Sequence, residues 1–223
     1  MTGATDTLPR LAILASGSGS NMQAIAKACS DGTIPARITF VGSNRPGAGV
    51  LARAQCAGIH HAVIDHRDYP SREDFDRALL TELEPHAPDL VILAGFMRIL
   101  TPLFIASFRG RLLNIHPSLL PKYPGLNTHA RALAAGDREH GATVHFVTEE
   151  LDGGPPALQA TVPIMHNDNA DTLAARVLEL EHRIYPLAIS WWVTGRLRLI
   201  AGEVTLDGKK TPATGIPYVP CKP

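Results

Sequence analysis

Leu11-Ala12-Ile13-Leu14-Ala15-Ser16-Gly17-Ser18-Gly19-Ser20-Asn21 decides how this chain folds. The apolar run predicts a short buried strand, and the Ser/Gly segment turns it into a helix over about Asn21 to Ala28. The same rhythm recurs. Ile38 to Gly42 predicts a second strand, followed by a helix over roughly Gly49 to Ala57, and Ala62 to Ile64 a third strand. Ser71 to Glu84 is the clearest amphipathic helix, with Ser71 as its cap, Asp74 at the capping-box position and Phe75, Ala78, Leu79 and Leu83 on one face. Leu90 to Ala94 is a fourth strand, buried on both faces to judge by its unbroken apolar run, and Leu112 to Ile115 a fifth. Beyond His116 the rhythm changes. Thr143 to Val147 and Leu158 to Val162 predict strands, and a long helix runs from about Asp171 to Trp192. The tail, Leu197 to Pro223, has a turn at Asp207-Gly208 and little helical pattern, which predicts a somewhat loose end. Such alternation predicts an α/β fold, a mostly parallel twisted sheet with helices on both faces.

Composition narrows the classes. A length of 223 residues fits one α/β domain, and 45% hydrophobic with 19% charged residues is ordinary for a soluble globular protein. Lys plus Arg and Asp plus Glu both number 21, so the basic excess of a nucleic-acid surface is absent. The longest apolar run, around Leu90 to Met97, is too short to span a bilayer, and Met1 to Pro9 lacks the pattern of a secretory signal. Cys29, Cys56 and Cys221 are odd in number and widely spaced, as in reduced cytoplasmic thiols.

Three segments carry chemistry. Gly17 and Gly19 permit close backbone approach to a phosphate at a helix N-terminus, where Ser18, Ser20 and Asn21 add polar groups. The dinucleotide fingerprint fails, because Met22 stands where its third glycine belongs and Val41-Gly42-Ser43-Asn44 lacks the acidic residue. A single phosphate is therefore favoured over a nucleotide cofactor, and a tight turn without ligand remains the alternative. Gly95-Phe96-Met97-Arg98-Ile99-Leu100 lies at the carboxyl end of the fourth strand, where open α/β sheets bind ligands. Its apolar residues alone would pass as core, but Arg98 inside the run would not. In Leu112-Leu113-Asn114-Ile115-His116-Pro117-Ser118-Leu119-Leu120-Pro121, Asn114 and His116 point to the same side of an extended segment. An amide and an imidazole aimed at one point can hold an oxygen that gains negative charge. Glu149-Glu150-Leu151-Asp152-Gly153-Gly154-Pro155 places a carboxylate beside two glycines in a loop able to bend round a ligand. The remaining histidines, including His60, His61, His140, His145 and His166, show no metal spacing, so no metal is expected.

Taken in order, these motifs, with Lys122-Tyr123-Pro124-Gly125 after the Asn114 segment, resemble the folate-dependent glycinamide ribonucleotide formyltransferases of purine synthesis. The resemblance runs from the Gly17 loop to Trp192 and fades in the tail. It implies a formyltransferase fold, Rossmann-like in its N-terminal half. Residues 1–223 would form one domain: a phosphate-binding half over about 10–110, a catalytic and folate-binding half over about 111–196, and the tail 197–223. It implies that Asn114, His116 and Asp152 are catalytic, Asp152 holding His116. Gly17, Ser18, Gly19, Ser20, Asn21, Arg72 and Glu181 would surround the phosphate and ribose of glycinamide ribonucleotide. Phe96, Met97, Arg98, Ile99, Leu100, Val147, Glu149, Glu150, Leu151 and Asp152 would enclose the pterin of the co-substrate 10-formyltetrahydrofolate. Only small-molecule partners are implied, with neither nucleic acid nor membrane, in the cytoplasm. The oligomeric state stays open, a homodimer included. Asn127 stands where many relatives carry histidine and receives no role.

Two neighbouring activities share part of this pattern. Methionyl-tRNA formyltransferases have the Asn-x-His-Pro-Ser-Leu-Leu-Pro core but follow it with an Arg-Gly turn and add a C-terminal domain. Formyltetrahydrofolate hydrolases add an N-terminal regulatory domain. A non-catalytic sugar-phosphate or folate-binding module would have no use for Asn114, His116 and Asp152 together.

Overall fold

β1 (Arg10–Leu14) is buried along all but its first residue, as an unbroken apolar run requires. In a computed structural model that describes residues 8–220, β1 pairs in parallel with β2 (Arg37–Ser43) on one side and β4 (Leu90–Leu93) on the other. β3 (His61–Val63) adds in parallel to β2, and β5 (Leu112–His116) in parallel to β4. β6 (Glu139–Phe146) then runs antiparallel to β5, and β7 (Pro156–Pro163) antiparallel to β6. The sheet is therefore mixed but mostly parallel, with its topological switch at β1 and β4.

Strand alternation divides the core between the two faces. Leu11 and Ile13 of β1 pack with α1 (Ser20–Ser30), α2 (Gly49–Cys56) and α6 (Ala170–Val193). Ala12 and Leu14 pack on the opposite face, with α3 (Arg72–Leu83) and α4 (Pro102–Ser107). Tyr185 locks α6 to the sheet, its hydroxyl lying 2.8 Å from the Leu93 carbonyl and 3.0 Å from that of Leu113. Ser71 caps α3 as its spacing predicts, accepting the Asp74 N–H at 3.0 Å. α4 and α5 (Thr128–Ala134) have no counterpart in the sequence reading, being too short to show helical periodicity.

The tail is not loose through its described residues. β8 (Leu197–Ile200), β9 (Glu203–Leu206) and β10 (Lys209–Lys210) form an antiparallel sheet that buries Leu197 and Val204. Asp207 and Gly208 have φ of 52° and 75°, the left-handed pair of a tight hairpin turn. β11 (Ile216–Pro217) returns to the main sheet beside β7. Strands this brief carry almost no periodic signal, and their order comes from pairing. Cys29 and Cys56 are free thiols, while Cys221 lies outside the described residues. Among the described residues, no helix is long and apolar enough to cross a membrane.

Candidate active site

Ser16 gathers three strand ends. Its hydroxyl donates to Asn44 Oδ1 at 2.5 Å and accepts the Met97 N–H at 2.7 Å, while its own N–H donates to the Gly95 carbonyl at 3.0 Å. Gly19 opens α1 with φ of 80° and no side-chain cap, leaving the helix N-terminus able to receive an anion. In the first turn Asn21 donates from Nδ2 to Glu181 Oε2 of α6 at 2.7 Å, and its buried Oδ1 has no partner. Burial pushes the Glu181 carboxyl up to about 7, against the opposing pull of the Asn21 hydrogen bond. Beside the loop opens a cleft of about 580 Å³ whose walls include Gly17, Ser18, Asn44, Arg45, His66 and Arg67. Arg67 is paired with Asp65 at 2.5 Å.

β5 and β6 assemble the second cluster. Strand register sets Asn114 opposite His145. His145 Nδ1 lies 3.1 Å from the Phe146 carbonyl, which assigns the proton to that nitrogen and leaves Nε2 to accept from Asn114 Nδ2 at 3.0 Å. Burial holds the His145 imidazole below its usual range, so it stays neutral and keeps this accepting lone pair. His116 donates from Nε2 to the Tyr123 carbonyl at 2.9 Å, and its Nδ1 faces Asp152 Oδ2 at 3.4 Å. Asp152 Oδ1 stands 3.8 Å from His145 Nε2. Asn114, His116, His145 and Asp152 thus form one connected group. The Asp152 loop folds tightly over β6: a Cβ on Gly154 would fall 1.8 Å from the Phe146 carbonyl oxygen, so only glycine fits there.

A smaller pocket, about 90 Å³, opens onto this group, with Asn114 and His145 in its lining. Phe96, Arg98, Ile99 and Leu100 form one wall, and Val147, Glu149, Glu150, Leu151 and Asp152 the other. All the residues expected around a pterin line it except Met97, a residue 54% exposed whose N–H is taken by Ser16. The Arg98 guanidinium lies 5.8 Å from the Phe75 ring centroid, and its buried Nε has no partner. Arg72, expected beside the phosphate, is exposed on the first turn of α3 and lines neither cleft. Arg45 and Arg67 are positive groups in the lining of the Gly17 cleft, brought in by the turns that follow β2 and β3.

A family model described as formyl transferase matches residues 9–189. The chain is 52% identical to phosphoribosylglycinamide formyltransferase of Escherichia coli over 92% of its own length and 97% of the relative's. It belongs to the formyl transferase family. Within that family the solved phosphoribosylglycinamide formyltransferase of Coxiella burnetii superposes with a TM-score of 0.91 at 47% identity, covering 95% of this chain and all of that one. The trifunctional purine biosynthetic protein of Drosophila melanogaster is 48% identical over 88% of this chain, which spans 15% of that longer protein.

Several side chains that line the two clefts carry no role in the sequence analysis. His145 begins one of the stretches most specific to the family resemblance, but its chemical place is set by its cross-strand position opposite Asn114. Asn44, Arg45, His66 and Arg67 sit in turns after β2 and β3 without any spacing motif; their position at strand carboxyl ends was the available signal.

Proposed function

We propose that this chain transfers the formyl group of 10-formyltetrahydrofolate to the amine of glycinamide ribonucleotide, giving formylglycinamide ribonucleotide and tetrahydrofolate in purine biosynthesis. The observation that carries the reading is the Asn114–His145–Asp152–His116 group, where a pocket with apolar walls meets an amide held by a neutral imidazole. The amine attacks the formyl carbon. The new C–N bond forms as the carbonyl oxygen gains charge, and the bond to the folate N10 then breaks. Asn114 donates its amide hydrogens toward that oxygen, one of them anchored on His145. His116, paired with Asp152, stabilises the same charge and helps carry the proton from the attacking amine toward the leaving nitrogen. The Gly17–Asn21 loop takes the phosphate, and the unpartnered Asn21 Oδ1 beside Glu181 suits a ribose hydroxyl. The pocket between Phe96–Leu100 and Val147–Asp152 takes the pterin, with Arg98 Nε as a free donor at its edge. No role is assigned to Arg72 here. The whole is read as one catalytic unit, and the free thiols Cys29 and Cys56 suit the cytoplasm.

Consumption of 10-formyltetrahydrofolate is expected to be much faster with glycinamide ribonucleotide present than absent, with formylglycinamide ribonucleotide identified by mass. Equal rates that release free formate would make the protein a hydrolase and remove this reading.

The loop is tested separately. A Cβ at Gly17 meets nothing within 4 Å, so Gly17→Val is expected to fold normally while obstructing the cleft. Blocking backbone donors there should raise the KM for glycinamide ribonucleotide roughly tenfold, the worth of about one hydrogen bond, and leave folate binding nearly unchanged. Selective loss of folate binding would show the two sites exchanged. Gly19 is unsuitable for this test, because its Cβ would lie 2.7 Å from Val50 Cα at a φ of 80°.

A further inference from the structure

One short turn touches both members of the His116–Asp152 pair. The Tyr123 carbonyl accepts from His116 Nε2 at 2.9 Å, and the Gly125 N–H donates to Asp152 Oδ2 at 2.8 Å. Tyr123 holds this position with φ of 56°, a left-handed conformation that costs a non-glycine residue about 1–2 kcal/mol. Such a backbone persists only when its surroundings fix it.

The surroundings are specific. Asp137, just beyond α5, accepts from the Tyr123 hydroxyl at 2.9 Å and from Lys122 Nζ at 2.9 Å. Arg131, within α5, donates to the Pro124 carbonyl at 2.6 Å and lies 5.2 Å from the Tyr123 ring centroid. From the other side Ser118 Oγ donates to the Lys122 carbonyl at 2.6 Å. The turn is thus pinned from both sides by contacts within the chain.

We infer that Asp137 and Arg131 are positioning residues for formyl transfer: they clamp the Lys122–Gly125 turn, and the turn sets the distance and orientation between His116 and Asp152. Neither side chain appears in the lining of either cleft, so their action runs through the Tyr123 carbonyl and the Gly125 N–H. The inference rests on the proposed reaction for its kinetic consequence but not for its structural one. Displacing a reacting group by about 1 Å can cost a hundredfold in rate, and loosening one of several clamps should cost less.

Tyr123→Phe removes a single oxygen and keeps the ring under Arg131. Roughly a tenfold fall in kcat is expected, with both KM values within about twofold of wild type. Asp137→Leu should match it or exceed it. Asp137→Asn, which retains an acceptor for the tyrosine hydroxyl, should recover most of the rate. In substrate-free protein, NMR of the His116 imidazole should show a protected Nε2–H in wild type and Asp137→Asn, and a rapidly exchanging one in Tyr123→Phe. Unchanged kcat and unchanged Nε2–H protection in folded Tyr123→Phe would overturn the inference. So would loss of rate in Asp137→Asn equal to that in Asp137→Leu, since charge rather than the clamp would then be responsible. Should Asp137→Leu fail to fold, Tyr123→Phe decides alone. If the wild-type protein formylates no glycinamide ribonucleotide, the proposed reaction fails while the Nε2–H measurement still tests the clamp.

Discussion

Asn114→Ala is expected to slow formyl transfer by roughly a hundredfold or more while the protein stays folded, because loss of one preorganised oxyanion donor costs about 2.7–4 kcal/mol. The amide is half-buried on β5, with one hydrogen held on the neutral His145, so its orientation is fixed before reaction. Truncation removes that donor and leaves a small space beside the pocket that Asn114 lines rather than in the core. His116→Ala and Asp152→Asn should each lower turnover strongly as well. Asp152→Asn keeps an oxygen that can accept the Gly125 N–H but removes the charge facing His116 at 3.4 Å. The three single variants act on one unit, so combining them should cost much less than the product of their separate losses. Steady-state turnover together with thermal unfolding separates the outcomes. A folded Asn114→Ala protein with near-wild-type turnover would remove Asn114 from the mechanism.

Glu181→Gln is expected to stabilise the protein in alkaline solution while weakening the binding of glycinamide ribonucleotide. Burial raises the Glu181 carboxyl from 4.5 to about 7, so the folded state holds a proton there that the unfolded state releases at lower pH. Relative to the ionised group, this contribution is fully present below about pH 4.5 and is lost as pH rises through 7. The full shift corresponds to roughly 3 kcal/mol. A neutral amide carries no such penalty. The variant should therefore match wild type near pH 4 and exceed it by up to about 3 kcal/mol at pH 8. For a protein of this size that is roughly 6–12 °C in Tm. His140, lowered to about 4 by burial, has the opposite slope between pH 6.5 and 4 and is common to both proteins, so it cancels in the comparison. Stability curves that run parallel at every pH would show that Glu181 does not titrate on its own. Retaining a destabilised carboxylate at the proposed substrate site fits the usual exchange of stability for function.

Much of this was written locally in the chain. Leu11 to Asn21 specifies a buried strand, a glycine turn and a helix because their periodicity and turn chemistry reside in adjacent residues. Asn114 and His116 share a side of β5 for the same reason, and the observed strand ends within a residue or so of the expected span. Met97 belongs to the expected segment, and only packing between segments decides that it is largely exposed with its N–H bound to the Ser16 hydroxyl. Likewise, nothing in the helix spacing of Arg72 reveals what its exposed side chain meets.

By itself, then, the sequence determined the alternating strands and helices, the Gly17 turn, the Asn114–His116 pair and the glycine loop that carries Asp152. Each depends on neighbours a few residues away, where backbone periodicity and steric limits act directly. Tertiary structure alone decided that His145 faces Asn114, that Arg45 and Arg67 flank the Gly17 loop, and that β11 closes the sheet. It alone decided that Asn21 meets a carboxyl 160 positions away, whose burial raises its pKa to about 7. Strand register and desolvation arise only when distant segments pack, and no local pattern in the chain encodes them.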